Sequence, residues 1–237
     1  MTNRLTSRCV VLAADTGRLE QYMLLAERIS PLIYAIKVHA LVDGAAKEDI
    51  KLLHEAGYQR VWQDLKLHDT PDTVALRAAE AKENGADIIT VHICGGQKMM
   101  EAAVKNGPPE ILGITVLTSL QPDEAEEIYG ELPAQKVLKF AHKAKAAGLH
   151  GLVCSPLEVA SLATDPALSG MILNTPGIRS ADDPKNDQVR ASTPRQALMN
   201  GAHRLVIGRP ITEAMDAAAV LDRIERELER AEISRRD

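Results

Sequence analysis

The sequence predicts an α/β fold, a (β/α)8 TIM barrel built as a single domain over residues 1–237. Three observations point there. Short apolar runs of β-type residues alternate eight times with stretches of helical spacing, the pattern of parallel strands joined by helical crossovers. Eight units in 237 residues leave about 30 residues each, the size of one βα repeat. The strand segments read as near-continuous apolar runs, and helices close on Gly57, Gly85, Gly107, Gly148 and Gly201, as buried parallel strands and glycine-terminated helices require. An open doubly wound sheet shares this alternation and stands as the rival, because alternation alone does not establish closure.

Taken in order, the first strand is "CVVLAAD" (9–15), and "LEQYMLLAERI" follows with helical spacing. The second strand covers 33–38, with "AAKEDIKLLHEAG" after it. "RVWQDLKL" (60–67) is the third, and its helix opens at Pro71, a residue suited to a first helical turn. The fourth is "DIITVHI" with helix "GQKMMEAAVKNG", and the fifth is "EILGITVL" (110–117), leading into a long helical region over 123–148. "GLVCS", "MILNTP" and "RLVIG" are strands six to eight, with "PLEVASLATD", "PRQALMNG" and a closing helix over 210–232 between and after them. One connection stands out. The stretch 175–193, "TPGIRSADDPKNDQVRAST", is long and charged, as lids and binding loops are.

Composition removes several classes of function. A net charge of -5 leaves no basic footprint for nucleic acid, and 3% aromatic residues offer few stacking surfaces. No run approaches the roughly 18 apolar residues of a membrane span, and the start of the chain does not read as a secretory signal. Cys9, Cys94 and Cys154 are far apart and set in apolar runs, so buried, reduced thiols in a cytoplasmic protein are expected.

In both candidate folds active sites gather at the carboxyl ends of the strands. The polar residues expected there converge: Asp15, Lys37, Asp64 and Lys66 with Asp69 just beyond, His92, Thr118 and Ser119, and Thr175. In "DLKLHDTP" (64–71), strand alternation puts Asp64, Lys66 and His68 on one face and Leu65 and Leu67 on the other. In "VIGRPIT" a glycine allows close approach of a phosphate, a helix start follows, and Arg209 adds a bidentate donor. Read alone, that segment is better taken as a Gly-Arg turn with a solvated arginine. The long loop before it, with Arg179 and Gln188, favours phosphate. His39, His68 and His92 match no metal-ligand spacing and read as hydrogen-bonded strand-end residues, with ligation beside Asp15 or Asp64 the other possibility.

In joint order and spacing, "DLKLHDTP" (the D-x-K-x-x-D pattern), "VLTS", "VCS", "TPGIR", "NDQVR" and "VIGRPIT" resemble the orotidine 5′-phosphate decarboxylase family, from about Val10 to Thr212. D-x-K-x-x-D alone is shared with metal-dependent ketogulonate-phosphate decarboxylases and hexulose-phosphate synthases. The "TPGIR", "NDQ" and "VIGRP" segments resemble the pyrimidine enzymes instead. The resemblance implies decarboxylation of orotidine 5′-monophosphate to uridine 5′-monophosphate and carbon dioxide, in UMP biosynthesis, with no cofactor and no metal. It implies that Lys66 is the general acid, that Asp64 stands against the substrate carboxylate, and that Lys37 completes a Lys-Asp-Lys-Asp network with Asp69. In a homodimer, Asp69 and Thr70 would reach the neighbouring site. The implied substrate contacts also include Asp15 at the ribose, Thr73, and Thr118 at the pyrimidine edge, with Ser119 as the alternative. Arg179, Gln188, Gly208 and Arg209 would hold the phosphate. One departure is "KVHA", where His39, directly after the valine, stands at a position that is glycine in many members.

The chemistry has its own logic. A lysine flanked by carboxylates keeps its proton and is a proton donor rather than a nucleophile. A carbanion with no cofactor to delocalise it must be stabilised by fixed charges in a dry site. Two rivals remain at this level: a metal-dependent phosphosugar enzyme on the same scaffold, and a catalytically silent nucleotide-binding protein.

Overall fold

The structure, a computed structural model, describes residues 4–15, 18–39, 46–180 and 191–236. Its eight strands form a closed parallel barrel in sequence order: β1 (Val10–Ala14), β2 (Ala35–Val38), β3 (Val61–Leu67), β4 (Ile88–His92), β5 (Glu110–Ile114), β6 (Gly151–Val153), β7 (Ile172–Thr175) and β8 (Arg204–Ile207). β8 pairs with β1 through Val10–Leu205, Val11–Val206 and Leu12–Ile207, so the sheet has no free edge. The open-sheet alternative is thereby removed.

Helices precede, connect and follow the strands: α1 (Thr6–Cys9), α2 (Leu19–Ile29), α3 (Ala46–Glu55), α4 (Pro71–Glu83), α5 (Gln97–Asn106), α6 (Pro122–Tyr129), α7 (Pro133–Ala146), α8 (Val159–Ala163), α9 (Pro194–Met199), α10 (Arg209–Thr212) and α11 (Ala217–Arg236). Proline at the first helical position starts α4, α6, α7 and α9, where its missing N–H costs nothing. At α9 the Thr193 hydroxyl also accepts the Gln196 N–H at 3.1 Å.

Three expectations change. The helical region over 123–148 is two helices, because Gly130 ends α6 in the left-handed conformation (φ 71°) and Pro133 starts α7. The closing helix over 210–232 is also two, since the Asp216 carboxylate accepts the N–H groups of Ala218 and Ala219 and starts α11 afresh. The short α1 was not expected. It is held because Glu225 of α11 accepts the N–H groups of Leu5 and Thr6, both at 2.8 Å.

Two apolar layers follow from the strand period. Outward-facing strand residues such as Leu12, Ile36 and Ile89 pack under the helices, while Val11, Ala13, Ala35, Trp62, Ile88, Leu112 and Val206 fill the barrel interior. That interior plug separates two charged ends. At the amino-terminal end of the strands, Arg204 pairs with Glu110 and lies 4.1 Å from the centre of the Tyr34 ring. Lys37 and Asp64, also almost fully buried, sit at the carboxyl-terminal end. No helix among the described residues is long and apolar enough to cross a membrane. Cys9 and Cys154 are buried as expected, whereas Cys94, just past β4, is exposed.

Candidate active site

A cavity of about 500 Å³ opens at the carboxyl ends of the strands. Asp15, Lys37, Asp64, Lys66 and Trp62 line its floor and one wall, and each comes from β1, β2 or β3 or the residue just after β1. Thr118 faces them from beyond β5, and Arg179, Gly208 and Arg209 lie beyond β7 and β8. Residues far apart in sequence meet here because every parallel strand delivers its carboxyl end to one mouth.

The charged group at the floor is tightly connected. Lys37 Nζ lies 2.5 Å from Asp15 Oδ1 and 3.1 Å from Asp64 Oδ2. Lys66 Nζ donates to the same Asp64 Oδ2 at 2.6 Å. The other oxygen, Asp64 Oδ1, accepts the Thr90 hydroxyl at 2.7 Å. Burial by itself would raise the Asp64 carboxyl. The ammonium charges of Lys37 and Lys66, with hydrogen bonds from Lys66 and Thr90, outweigh it and hold the group down at about 2. Burial likewise opposes the charge on Lys37, but Asp64 and Asp15 more than offset it and raise its pKa.

Strict alternation along 64–68 fails. Lys66 has φ 49°, the one positive value at a non-glycine among the described residues. The β3–β4 register jumps from Gln63–Ile89 to Leu67–Val91, so the strand bulges there. Asp64 and Lys66 both reach the cavity, but His68 lies past the strand, exposed, with its ring 5.7 Å from that of His92. Neither His68, His92 nor His39 lines the cavity. Thr175 is fully buried and does not line it either.

Ser119 is exposed and outside the lining, so Thr118 is the residue of that pair that faces the cavity. Asp69, Thr70 and Thr73 are exposed and do not line the cavity of their own chain. Asp69 Oδ1 accepts the Thr70 N–H at 2.6 Å, and the Thr70 and Thr73 hydroxyls are 3.0 Å apart. Gln188 lies outside the described residues. The ends of its loop are joined: Arg179 N–H donates to Ser192 O at 2.9 Å and Ser192 N–H to Gly177 O at 3.2 Å.

After the neighbouring strand β8, a Cβ on Gly208 would stand 3.2 Å from the Ala13 carbonyl oxygen, so a side chain there would crowd β1. The helix after it is only the four-residue α10, and its Ile211 and Thr212 N–H groups bond back to Gly208 O. The cations lining this part of the rim are the Arg179 and Arg209 side chains, and α10 is too short to add a long helix dipole.

Sequence reading missed Thr90 and Trp62. Both sit on inward-facing strand positions, in phase with Ile88 and Asp64 respectively, and the polar Thr90 inside "IITVH" was the available signal. Among the described residues no group of three His, Cys, Asp or Glu side chains is placed to hold a metal ion.

The chain matches the model of the orotidine 5′-phosphate decarboxylase / HUMPS family over residues 8–224. It is 39% identical over 227 residues to the orotidine 5′-phosphate decarboxylase of Pseudomonas fluorescens (strain Pf0-1), covering 92% of this chain and 97% of that one. The crystal structure of the Lactobacillus acidophilus orotidine 5′-phosphate decarboxylase superimposes with a TM-score of 0.78 at 33% identity, over 93% of this chain and 99% of that one. That from Pyrococcus horikoshii OT3 gives 0.77 at 25% identity, over 93% and 99%.

Proposed function

This chain belongs to the orotidine 5′-phosphate decarboxylase / HUMPS family, and from that premise we propose how its charged cavity works. The reaction is that of a carboxy-lyase of pyrimidine biosynthesis: orotidine 5′-monophosphate becomes uridine 5′-monophosphate and carbon dioxide. The observation that carries the residue assignment is the contact of two lysines with one buried aspartate, Lys37 and Lys66 on Asp64.

In this reading the pyrimidine lies over the cavity floor with its carboxylate beside Asp64 and C6 toward Lys66. The C6–carboxylate bond breaks, its electron pair stays on C6, and carbon dioxide leaves. A proton from the Lys66 ammonium forms the new C6–H bond, and solvent later returns a proton to Lys66. The fixed charges of Lys37, Lys66 and Asp64 need no reorganisation at the moment of reaction, which is where preorganised sites gain most. Asp15 takes a ribose hydroxyl, and Thr118 meets the pyrimidine edge. Arg179, Gln188, Gly208 and Arg209 hold the phosphate, so that binding energy remote from C6 helps close the site. No cofactor or metal takes part.

Asp69, Thr70 and Thr73 complete the site of a neighbouring subunit in a homodimer, which accounts for their position outside the cavity of their own chain. The enzyme acts in the cytoplasm on a small nucleotide, with no nucleic-acid or membrane partner, and the whole chain works as one barrel domain.

The metal-dependent phosphosugar reading meets a specific difficulty. Both oxygens of Asp64 are already engaged, one by Thr90 and the other by two ammonium groups, and like charges disfavour a cation there. The deciding assay follows the absorbance of orotidine 5′-monophosphate on adding purified protein, with and without excess EDTA. Rapid, EDTA-insensitive loss is expected. Loss that EDTA abolishes would favour the metal-dependent reading, and binding without loss a silent nucleotide-binding protein. For the shared site, Asp69→Asn and Lys66→Ala subunits are mixed. Random exchange in a two-fold dimer makes one site in about four intact, so about a quarter of parental activity is expected. No recovery after proven exchange would count against subunit sharing.

A further inference from the structure

Resting on that reading of Asp64 and Lys66, we infer that Thr90 is a positioning residue for the reaction, acting on both charged groups through a single hydroxyl. Thr90 is fully buried at the centre of β4, with its side chain turned into the barrel beside β3. Its Oγ1 accepts the backbone N–H of Lys66 at 2.9 Å and donates to Asp64 Oδ1 at 2.7 Å.

The direction of these bonds is forced. A hydroxyl has one proton and two lone pairs, and a backbone N–H can only donate. Once Lys66 N–H claims a lone pair, the Thr90 proton goes to the carboxylate. Oδ1 of Asp64 is then occupied, and the plane of the carboxylate is set so that Oδ2 faces Lys37 and Lys66. Threonine is stiff at χ1, so the anchor does not swing.

The same hydroxyl supports the backbone that carries Lys66. Between the Gln63–Ile89 and Leu67–Val91 pairs, the three β3 residues Asp64, Leu65 and Lys66 stand opposite the single β4 residue Thr90. That mismatch removes ordinary ladder bonding, and Lys66 takes φ 49°, a conformation costly for a side chain with a Cβ. The Thr90 hydroxyl supplies the acceptor that the bulged Lys66 N–H needs. Remove it, and Lys66 loses the support for its strained backbone while Asp64 becomes free to rotate.

Replacing Thr90 with valine keeps the shape and removes the hydroxyl; serine keeps the hydroxyl. Against orotidine 5′-monophosphate, Thr90→Val is expected to lower kcat about 10- to 100-fold, the range of an unmet buried polar group. KM should change by less than about 3-fold, because the phosphate grip is untouched. Thr90→Ser should recover at least about a tenth of parental kcat. A purely structural role would not produce this split between kcat and KM, nor rescue that follows the hydroxyl. Unchanged kcat in Thr90→Val, or a serine variant as impaired as the valine one, would overturn the inference.

A crystal structure of Thr90→Val tests it without any turnover, and so separates it from the decarboxylase reading, which parental activity alone decides. The Asp64 carboxylate is expected to rotate or Lys66 to leave its positive φ. An unchanged Lys37–Asp64–Lys66 arrangement would overturn the inference even if the parent were inactive. Should the valine variant not fold, the same two readouts on Thr90→Ser and Thr90→Cys decide. Serine close to parent and cysteine impaired is expected, and equal impairment of the two counts against the inference.

Discussion

Lys37 and Lys66 direct their ammonium groups at the same atom, Oδ2 of Asp64, from 3.1 and 2.6 Å. They come from different strands, β2 and β3, and among the described residues only Lys37 has a second carboxylate, Asp15, within reach in its own chain. The two lysines are therefore not equivalent. Lys37 is almost fully buried and held from two sides, while Lys66 is more open to the cavity.

That asymmetry predicts which lysine can be removed with binding intact. Lys66→Ala should lower kcat by at least about 10²–10⁴-fold, the range for loss of a general acid, while uridine 5′-monophosphate still binds. Steady-state kinetics with a parallel binding titration checks this. Substantial turnover in Lys66→Ala would remove its assigned role.

In the proposed reading the phosphate side is separable from the charged floor. Arg209→Ala should raise KM about 10- to 100-fold, the loss of a charge-assisted hydrogen bond, with a smaller effect on kcat. Trp62 is the one tryptophan in the chain and lines the cavity, so its emission should change as uridine 5′-monophosphate is added. In Arg209→Ala the midpoint of that change should move to higher nucleotide concentration. An unmoved midpoint would place the phosphate elsewhere.

Asp64 also predicts acid behaviour. Its carboxyl is held at about 2 in the folded chain against an ordinary value of 3.8, so the folded state takes up the proton less readily than the unfolded one. The stabilisation this provides is complete above the unfolded value and is lost as pH falls through about 4 toward 2. Urea midpoints measured from pH 5 to pH 2 should fall more steeply for the parent than for Asp64→Asn. Equal slopes would show that Asp64 is not the group responsible.

The opposite end of the barrel should behave as stability without chemistry. Glu110→Ala leaves the buried Arg204 guanidinium without its carboxylate, a change that costs about 3–5 kcal/mol in comparable buried pairs. Chemical denaturation measures it. Turnover of the folded variant should stay within about 3-fold of parent, because the pair lies far from the cavity. A loss of activity matching Lys66→Ala would contradict that separation.

The eight-fold strand–helix alternation, the placement of Asp15, Lys37, Asp64 and Lys66 at strand ends, and that of Gly208 and Arg209 just past the last strand were all legible along the chain. They depend on periodicity, on proline and glycine at element ends, and on which residue types sit at which strand terminus, all of which are local. Closure of the sheet, expected from eight units of about 30 residues, was not legible from alternation alone, since it is decided by the pairing of β8 with β1 across nearly the whole chain. Nor was the bulge that breaks alternation at Lys66, because a register mismatch exists only between two strands. Thr90 shows the same limit. As one polar letter in an apolar strand it is unremarked, and it acquires meaning only where β4 brings its hydroxyl within 2.7 Å of Asp64 and 2.9 Å of the Lys66 N–H. Local propensity determined the elements and the cast of charged residues. Which oxygen meets which nitrogen was decided by tertiary packing, because hydrogen bonds of this kind are made across strands and tolerate only a few tenths of an ångström.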